Sequence, residues 1–579
     1  MKYPTLPVQA TSRDTVDVFR GYNRNLRIGD GEFRDMENLT SDFYPVVSPR
    51  GVRGVYASPE KPNGLISKDS LCYIDGTYFV MNEYPVDLGL SDGEKQLVSM
   101  GAYVIILPDK KWINTLDITQ HGDVEASFAT STDVVFSLCT ATGDPYRDVV
   151  TSDTEPKEPA NLALWIDTSS TPHSLKQYSA SAGIWVSIAT TYVKISAAGI
   201  GGVFEQYDGV TISGIVDEKL QSLNGTMTLQ AKGEDYIVVT GLLDEATTQL
   251  ASEGSVKVER KMPYMDYVVE AGNRLWGCRY GISANGTVVN EIYASKLGDF
   301  KNWNCFMGVS TDSWAAQVGT DGPFTGAVTH LGYPLFFKEN VLHKVYISDS
   351  GAHGIQDTAC RGVETGCHRS LAIVNETLYY KARSGICAYD GSLPVEVSQA
   401  LGTEVYGEAT GGAHGNKYYV SMKDRKDAWH LFVLDTLKSM WHREDGLQVS
   451  AFCSCRGEMY AIAGNRILAL LGSGKAAEKR LKWMAQTGEI GLSTPDSKYV
   501  LRLNIRMQLD FGANMDIYAQ YDRDGSWVRV CSLRGTDLGS FSVPIRPRRC
   551  DHMMLRFEGE GMGKLYSITK TYVKGSDRT

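Results

Sequence analysis

The chain has 579 residues, which is more than one hydrophobic core usually serves, so we expect several folded units of roughly 100–200 residues each. Hydrophobic residues make up 42% and charged residues 22%, a globular composition that excludes long disordered regions. The formal net charge of −10 excludes a surface dedicated to duplex DNA, because such a surface needs clustered Lys and Arg.

The N-terminus carries a charge at Lys2 but no apolar core follows it, and no stretch approaches the ~18 apolar residues of a membrane span. We therefore expect a soluble chain without a secretion signal. The 11 cysteines are odd in number and scattered along the chain. This usage predicts reduced, mostly buried thiols and no structural disulfide, as in a protein made in a cytoplasm.

Short runs of alternating apolar and polar residues, separated by turn signals, recur along almost the whole chain and are typical of β-structure. Residues 71–80 are one example. Two strand-like runs there flank Asp75-Gly76, a pair that supplies the positive φ angles of a tight hairpin turn. Residues 267–278 repeat the pattern around Gly272-Asn273.

Hairpins also recur at a regular spacing. Those that open at Leu335, Leu378, Tyr418 and Met459 are 43, 40 and 41 residues apart. A period near 40 residues matches the four-stranded blade of a β-propeller, in which sheets stack radially and leave only short edges. The alternative is a series of hairpins in unrelated sandwiches.

The rhythm breaks between Asn114 and Pro263, where Thr- and Ser-rich sequence and a linker-like segment at 153–159 precede further strands. This predicts a separate domain inserted into an exposed loop between blades. The predicted fold class is all-β, a propeller with an inserted β-rich domain and a C-terminal β-sandwich. The predicted boundaries are an N-terminal arm at 1–60, propeller at 61–113, insertion at 114–263, the rest of the propeller at 264–475 and the sandwich at 476–579.

The last of these regions opens with the one helical pattern of the chain, near residues 476–483, which predicts a helix at the exit from the propeller. Beyond it, turn signals at Gly512, Asp524-Gly525 and 559–563 divide residues 498–573 into about six strands. Strands at this spacing favour a β-sandwich.

Motifs that carry chemistry are incomplete. Gly472 to Lys475 resembles a phosphate loop, but Ala469 and Ala476 stand where that motif needs Gly and Ser or Thr. Residues 522–527 have fragments of a calcium loop or a sialidase Asp box and complete neither, which favours a plain hairpin turn. The basic run at 546–549 is interpreted as a solvated loop.

Metal and catalytic residues are not predicted either. Cys360, Cys367 and His368 match no zinc spacing. Five histidines of the propeller region are considered as catalytic residues, and none has a serine or cysteine in a nucleophile-elbow context; these are His343, His368, His414, His430 and His442. With 68 acidic residues, no carboxylate pair for glycoside hydrolysis stands out. We therefore predict no catalytic, cofactor-binding or metal-binding residue, no cofactor and no enzymatic activity.

Three groups of segments resemble β-propeller proteins of the tails of tailed bacteriophages, variously called stabilisation, head-completion or tail-nozzle proteins. The first group is 19–23, 31–39 and 44–51, the second 274–277, 292–299 and Trp303, and the third 545–552 and 566–568. The resemblance implies a ring below the portal that extends or closes the DNA channel. The inserted domain departs from the simplest members and leaves open a more peripheral place in the tail.

The expected function is thus that of a structural virion protein made in the bacterial cytoplasm. Its expected partners are further copies of itself in a closed ring, expected to be six-fold, the portal or adaptor, and other tail proteins. DNA would cross the ring during ejection without sequence-specific binding, and an acidic chain suits such a lumen. Two alternatives stay open: a host-surface glycan recognition module of the tail, and a glycoside hydrolase on a propeller scaffold.

Overall fold

The computed structural model describes residues 10–283, 285–491 and 497–574. Over these ranges the chain consists of strands and turns with four short 3-10 helices, at Glu218–Leu223, Ala251–Glu253, His368–Ser370 and Gln399–Leu401. The all-β prediction is confirmed. In these same ranges no helix is long and apolar enough to cross a membrane.

The chain divides into two compact units. Unit one comprises Met1–Glu94, Phe336–Leu342 and Asp357–Thr579, and unit two comprises Lys95–Leu335 and His343–Gln356. Each unit is described by itself below.

The strands up to Asp123 include two antiparallel four-stranded sheets, β7–β10 in unit one and β11–β14 in unit two. The hairpin predicted at 71–80 is present, with Gly76 in its turn at a φ of +58°. The strands are β1 (Ser12–Val16), β2 (Gly21–Tyr22), β3 (Glu32–Glu37), β4 (Leu39–Thr40), β5 (Ser48–Pro49), β6 (Gly54–Ala57), β7 (Pro62–Ser67), β8 (Leu71–Asp75), β9 (Tyr78–Met81), β10 (Tyr84–Asp87), β11 (Gln96–Met100), β12 (Tyr103–Leu107), β13 (Lys111–Asn114) and β14 (His121–Asp123).

Residues 126–260 in unit two form three sheets. A four-stranded sheet, β15-β27-β22-β23, and a five-stranded sheet, β24-β25-β21-β16-β26, share one apolar core that includes Phe136, Phe204 and Ile212. The third sheet, β17–β20, begins with a parallel pair. The strands are β15 (Ala126–Ala129), β16 (Val134–Cys139), β17 (Val149–Ser152), β18 (Leu164–Asp167), β19 (Ser174–Ser179), β20 (Ile184–Ser187), β21 (Tyr192–Ser196), β22 (Gly209–Ser213), β23 (Gly225–Thr228), β24 (Ala231–Gly233), β25 (Tyr236–Thr240), β26 (Thr247–Gln249) and β27 (Lys257–Arg260).

Further groups of four strands follow. The strands β28–β31, β32–β35 and β36–β39 each form a four-stranded sheet, β40–β43 form one end of a larger sheet described below, and β44–β46 continue through β6 and β47 (Lys475–Ala476) in a five-stranded sheet. The strands are β28 (Tyr267–Ala271), β29 (Arg274–Ile282), β30 (Val288–Ala294), β31 (Trp314–Gln317), β32 (Gly326–His330), β33 (Tyr333–Lys338), β34 (Val341–Tyr346), β35 (Gly354–Ala359), β36 (Ala372–Val374), β37 (Thr377–Ala382), β38 (Gly385–Tyr389), β39 (Val395–Glu396), β40 (Tyr406–His414), β41 (Lys417–Asp424), β42 (Trp429–Asp435), β43 (Met440–Arg443), β44 (Ala451–Cys455), β45 (Glu458–Ala463) and β46 (Arg466–Ala469).

Within each unit, neighbouring sheets of this kind meet at their first strands. In unit two, β28 contacts both β11 and β32. In unit one, β40 contacts both β36 and β44, and β44 also contacts β7. Large apolar side chains such as Trp276, Phe336, Tyr380 and Phe432 are buried in these sheets. The repeating unit predicted from the 40-residue spacing is therefore a four-stranded antiparallel sheet packed against the next one.

The strands of the C-terminal region are β47 (Lys475–Ala476), β48 (Lys482–Thr487), β49 (Lys498–Tyr521), β50 (Val528–Val543), β51 (Arg549–Cys550), β52 (Met553–Glu560) and β53 (Gly563–Lys574). The helix predicted at 476–483 is wrong. Lys475 pairs with β6, and the buried residues Leu481, Trp483 and Ala485 alternate along the chain, which is the period of a strand. The β48 strand pairs with β52.

The strand count predicted for this region is also corrected, because the turn expected at Gly512 is a bulge inside the continuous strand β49. All of these strands except β47 join one thirteen-stranded sheet, whose main path runs β1-β53-β49-β52-β48-β3-β2-β43-β42-β41-β40. The N-terminal strands β2 and β3 therefore lie between the C-terminal region and a four-stranded sheet of unit one.

Candidate assembly surface

The long hairpin of β49 and β50 forms one border of the thirteen-stranded sheet of unit one. Its turn, residues 522–527, is held by carboxylates: Asp524 accepts hydrogen bonds from the Ser526 amide at 3.1 Å and hydroxyl at 2.9 Å, and Asp522 accepts one from the Asp551 amide at 2.8 Å. The bonds from Ser526 lower the pKa of Asp524. The acidic residues at this position thus act as acceptors within a hairpin turn.

The two strands of the hairpin have different surroundings. One edge of β49 pairs with β50, and the other pairs with β53 up to Leu509 and with β52 from Asn514. In the part of the chain that the structure describes, β50 pairs with β49 alone. Most β50 side chains are exposed, including Val528 and Leu538. A free edge of 16 residues presents unpaired N–H and C=O groups to any further strand.

Phe511 lies on the bulge in the middle of this hairpin. The register between β49 and β50 shifts between Leu509 and Asn514, and Gly512 adopts a φ of +80°. Leu509 and Ala513 are buried, whereas Phe511 is fully exposed. A bulge re-aims the side chains it carries, so this one turns a large aromatic ring away from the sheet.

The thirteen-stranded sheet has a second free edge at β1. Its five residues pair with β53, from Ser12 opposite Tyr572 to Val16 opposite Ile568, and most of β1 is exposed. Among the described residues, β1 has no other strand partner. Beside it lies an apolar cleft, whose lining includes Val16, Phe19, Ile28, Phe33, Ile490 and Ile568.

A buried ion network fixes the N-terminal segment of unit one. Arg53 donates to Asp445 at 2.6 Å and to Glu444 at 2.8 Å, and Arg50 binds both oxygens of Glu478 at 2.9 Å. Both arginine side chains are almost fully buried. Burial acts to raise the pKa of Glu478, but the hydrogen bonds from Arg50 and Arg53 hold that pKa below its ordinary value. From the sequence, Arg50 was identified only as a member of the segment 44–51.

The residues considered for metal or phosphate sites have structural roles. His368 lies 3.0 Å from Glu94, a carboxylate that also contacts Arg369 at 2.7 Å. Burial raises the pKa of Cys360 and Cys367 to about 11. Among described residues, no group of three or more His, Cys, Asp or Glu could hold a metal. A Cβ on Gly474 would meet the Val55 carbonyl oxygen at 2.6 Å, so the loop at 472–475 packs on β6.

Two arrangements bear on catalysis. His414 lies 2.9 Å from the Ser454 hydroxyl, but over the described ranges it makes no contact with the carboxylate that would complete a triad. Glycoside hydrolysis uses two carboxylates. In each unit, one of the first strands of these sheets carries a glutamate: Glu408 on β40 and Glu270 on β28. Sequence reasoning missed the contact between His414 and Ser454 because 40 residues separate them.

Comparison with known proteins gives solved structures only. No protein-family model matches the chain, and no curated protein matches it. Three similar solved structures are an exo-β-1,3-galactanase from Phanerochaete chrysosporium (9% identity, 52% of this chain, 95% of that chain, TM-score 0.20), a GH43 glycoside hydrolase (10%, 54%, 97%, 0.19) and a puromycin hydrolase (12%, 64%, 58%, 0.18).

These matches correct one prediction. The sequence was interpreted as that of a non-enzyme, and that interpretation is overturned because the matching structures are hydrolases, so catalysis is not excluded for this chain. Identities of 8–12% and TM-scores of 0.13–0.20 assign neither a substrate nor a catalytic residue.

Proposed function

We propose that this chain is a structural component of the tail of a tailed bacteriophage, where copies assemble into a ring through the exposed edges of the thirteen-stranded sheet. In this proposal the four-stranded sheets are the blades of one β-propeller. The ring would contact the portal or adaptor and other tail proteins, and DNA would pass through it.

The observation that carries the proposal is the free edge of β50 together with Phe511. Soluble monomers usually protect long sheet edges with short strands, bulges, charges or a covering segment. Here the edge carries charges at Arg529, Arg534 and Asp537, but it extends over 16 residues, and a fully exposed aromatic ring stands beside it. An exposed aromatic ring next to a long unpaired edge supports an assembly surface. The resemblance of the sequence to phage tail proteins supports the tail of a phage particle as the assembly that this surface builds.

The test starts from the purified full chain. We expect light scattering to give a mass of several copies and class averages from electron microscopy to show closed rings of one symmetry. A gold-labelled antibody against the chain should decorate the tail of phage particles released from cells that carry the gene. A chain that stays monomeric at every concentration, or label confined to material outside particles, would refute the proposal.

A second candidate function, recognition of host-surface glycans, is favoured by one sheet of unit two. On one face of β17–β20, the Trp165 and Trp185 rings lie 5.3 Å apart, as do those of Tyr178 and Trp185, and Lys176 lies 4.9 Å from the Trp165 ring. Sugar rings bind aromatic surfaces flanked by polar groups. Binding of the chain to a glycan array that is lost in Trp185→Ala would support this function, and equal binding by both proteins would exclude this face.

A further inference from the structure

We propose that the two free edges of the thirteen-stranded sheet are the two halves of one subunit interface: β50 and Phe511 of one copy dock on β1 and the apolar cleft of the next. This inference rests on the self-assembly in the proposed function and names the surfaces and the partner, a second copy of this chain.

The first half presents an aromatic ring. Phe511 projects from a bulge between strand segments whose inward-facing side chains, such as Met507 and Met515, are buried, so its base is rigid. Aromatic anchors that enter a pocket dominate the energetics of interfaces. The adjacent edge of β50 adds backbone N–H and C=O groups that can pair with a strand of the neighbour.

The second half is a shallow apolar cleft. It is lined mainly by apolar side chains, and Phe19 and Phe33 stack in its wall with ring centroids 5.7 Å apart. Its free volume is about 20 Å³, so an aromatic ring would pack across its mouth. Because the cleft adjoins the edge of β1, a ring in that position would bring an edge strand next to β1.

The charges around the two halves have opposite signs. Two arginines and one aspartate surround Phe511, whereas three carboxylates and one lysine line the cleft. These residues are Arg529, Arg534 and Asp516 around Phe511, and Asp30, Glu32, Glu489 and Lys570 in the cleft. Within the cleft, Lys570 already contacts Asp30, and Glu489 contacts Arg523, which leaves Glu32 to set the sign of the cleft. Opposite potentials favour contact between different edges over contact between two like edges.

Because the two halves are different surfaces of unit one, the interface is heterologous. Each copy then offers one half to its predecessor and the other to its successor. Such contacts generate a closed ring when the rotation between copies closes, and a filament when it does not. The same surfaces thus explain a ring without any additional contact.

Cross-linking tests the pairing directly. A photoreactive phenylalanine analogue replaces Phe511 in the full chain, and an equal mixture of ¹⁴N- and ¹⁵N-labelled protein is irradiated. We expect cross-linked peptides of mixed isotope composition that join residue 511 to residues 12–33, 487–490 or 568–570. Cross-links only within one copy, or mixed cross-links to any other segment, would overturn the inference.

A matched pair of variants measures the contribution of the Phe511 side chain to assembly. Phe511→Ala should raise the concentration at half-assembly more than tenfold, the range of an interface hot spot. Tyr84→Ala, which removes another exposed aromatic side chain of unit one, should shift it less than twofold. Hydrogen exchange should slow in β1 and β50 on assembly and stay unchanged in β20. Assembly that survives Phe511→Ala unchanged would refute the inference and leave the proposed function standing, whereas a wild-type chain that never assembles would refute both.

Discussion

Removal of Arg53 should open the N-terminal segment of unit one. The side chain is almost fully buried and binds Glu444 at 2.8 Å and Asp445 at 2.6 Å, so Arg53→Leu leaves two carboxylates without their main cation. Breaking a buried pair in this way costs about 3–5 kcal/mol. Arg50 lies 3.6 Å from both carboxylates and compensates in part, so we expect a loss near the lower end, about 3 kcal/mol.

The assay is amide hydrogen exchange in β6, the strand that follows Arg53, because exchange reports the free energy of local opening in a protein of several units. Lys61→Ala is the control, since its ion pair with Asp92 is exposed and screened by solvent, so its loss should leave the opening of β6 unchanged. An opening free energy of β6 in Arg53→Leu within about 1 kcal/mol of the control would refute the reasoning.

Two further predictions concern unit one. Burial lowers the pKa of His442 to about 4, below the ordinary value of 6.5. The unfolded chain therefore binds more protons than the folded chain between these pH values, and stability should fall as the pH drops from 6.5 to 4. A urea titration at several pH values should show this loss of stability, and His442→Asn should remove the pH dependence. Gly54→Ala should lower the melting temperature by several degrees, because its Cβ would collide with the Ser473 carbonyl oxygen. Gly51→Ala has no atom within 4 Å of the added Cβ and should leave the melting temperature unchanged. Equal melting temperatures of the two variants would contradict the collision.

Local features of the fold could be predicted from the sequence because they depend on neighbouring residues. The turn at Asp75-Gly76 is one, since glycine adopts the positive φ that the hairpin needs. The helix at 476–483 was predicted wrongly because its helix-forming residues are held by distant partners. Glu478 binds Arg50, which is 428 residues away, and a pattern of neighbouring residues cannot predict that contact.

The candidate site could not be predicted for a related reason. Strict alternation along β49 places Phe511 on the same face as Leu509, in the core. The bulge sets residues 510–513 of β49 against Gly535 alone and reverses this, and nothing near Phe511 in the sequence distinguishes a bulge at Gly512 from the turn that was expected there. The free edges of β1 and β50 likewise depend on the order of strands in the sheet, which alternation does not specify.

The pairing of β6 with β46 has a consequence for synthesis on the ribosome. Val55 is translated more than 400 residues before its partner Leu468, and the separation in sequence between β1 and its partner β53 is larger still. At about 5–20 residues per second, the emerging chain holds these early strands without their partners for tens of seconds. Folding of unit one therefore finishes only after β53 has left the ribosome, and the nascent N-terminal strands need protection from other chains until then.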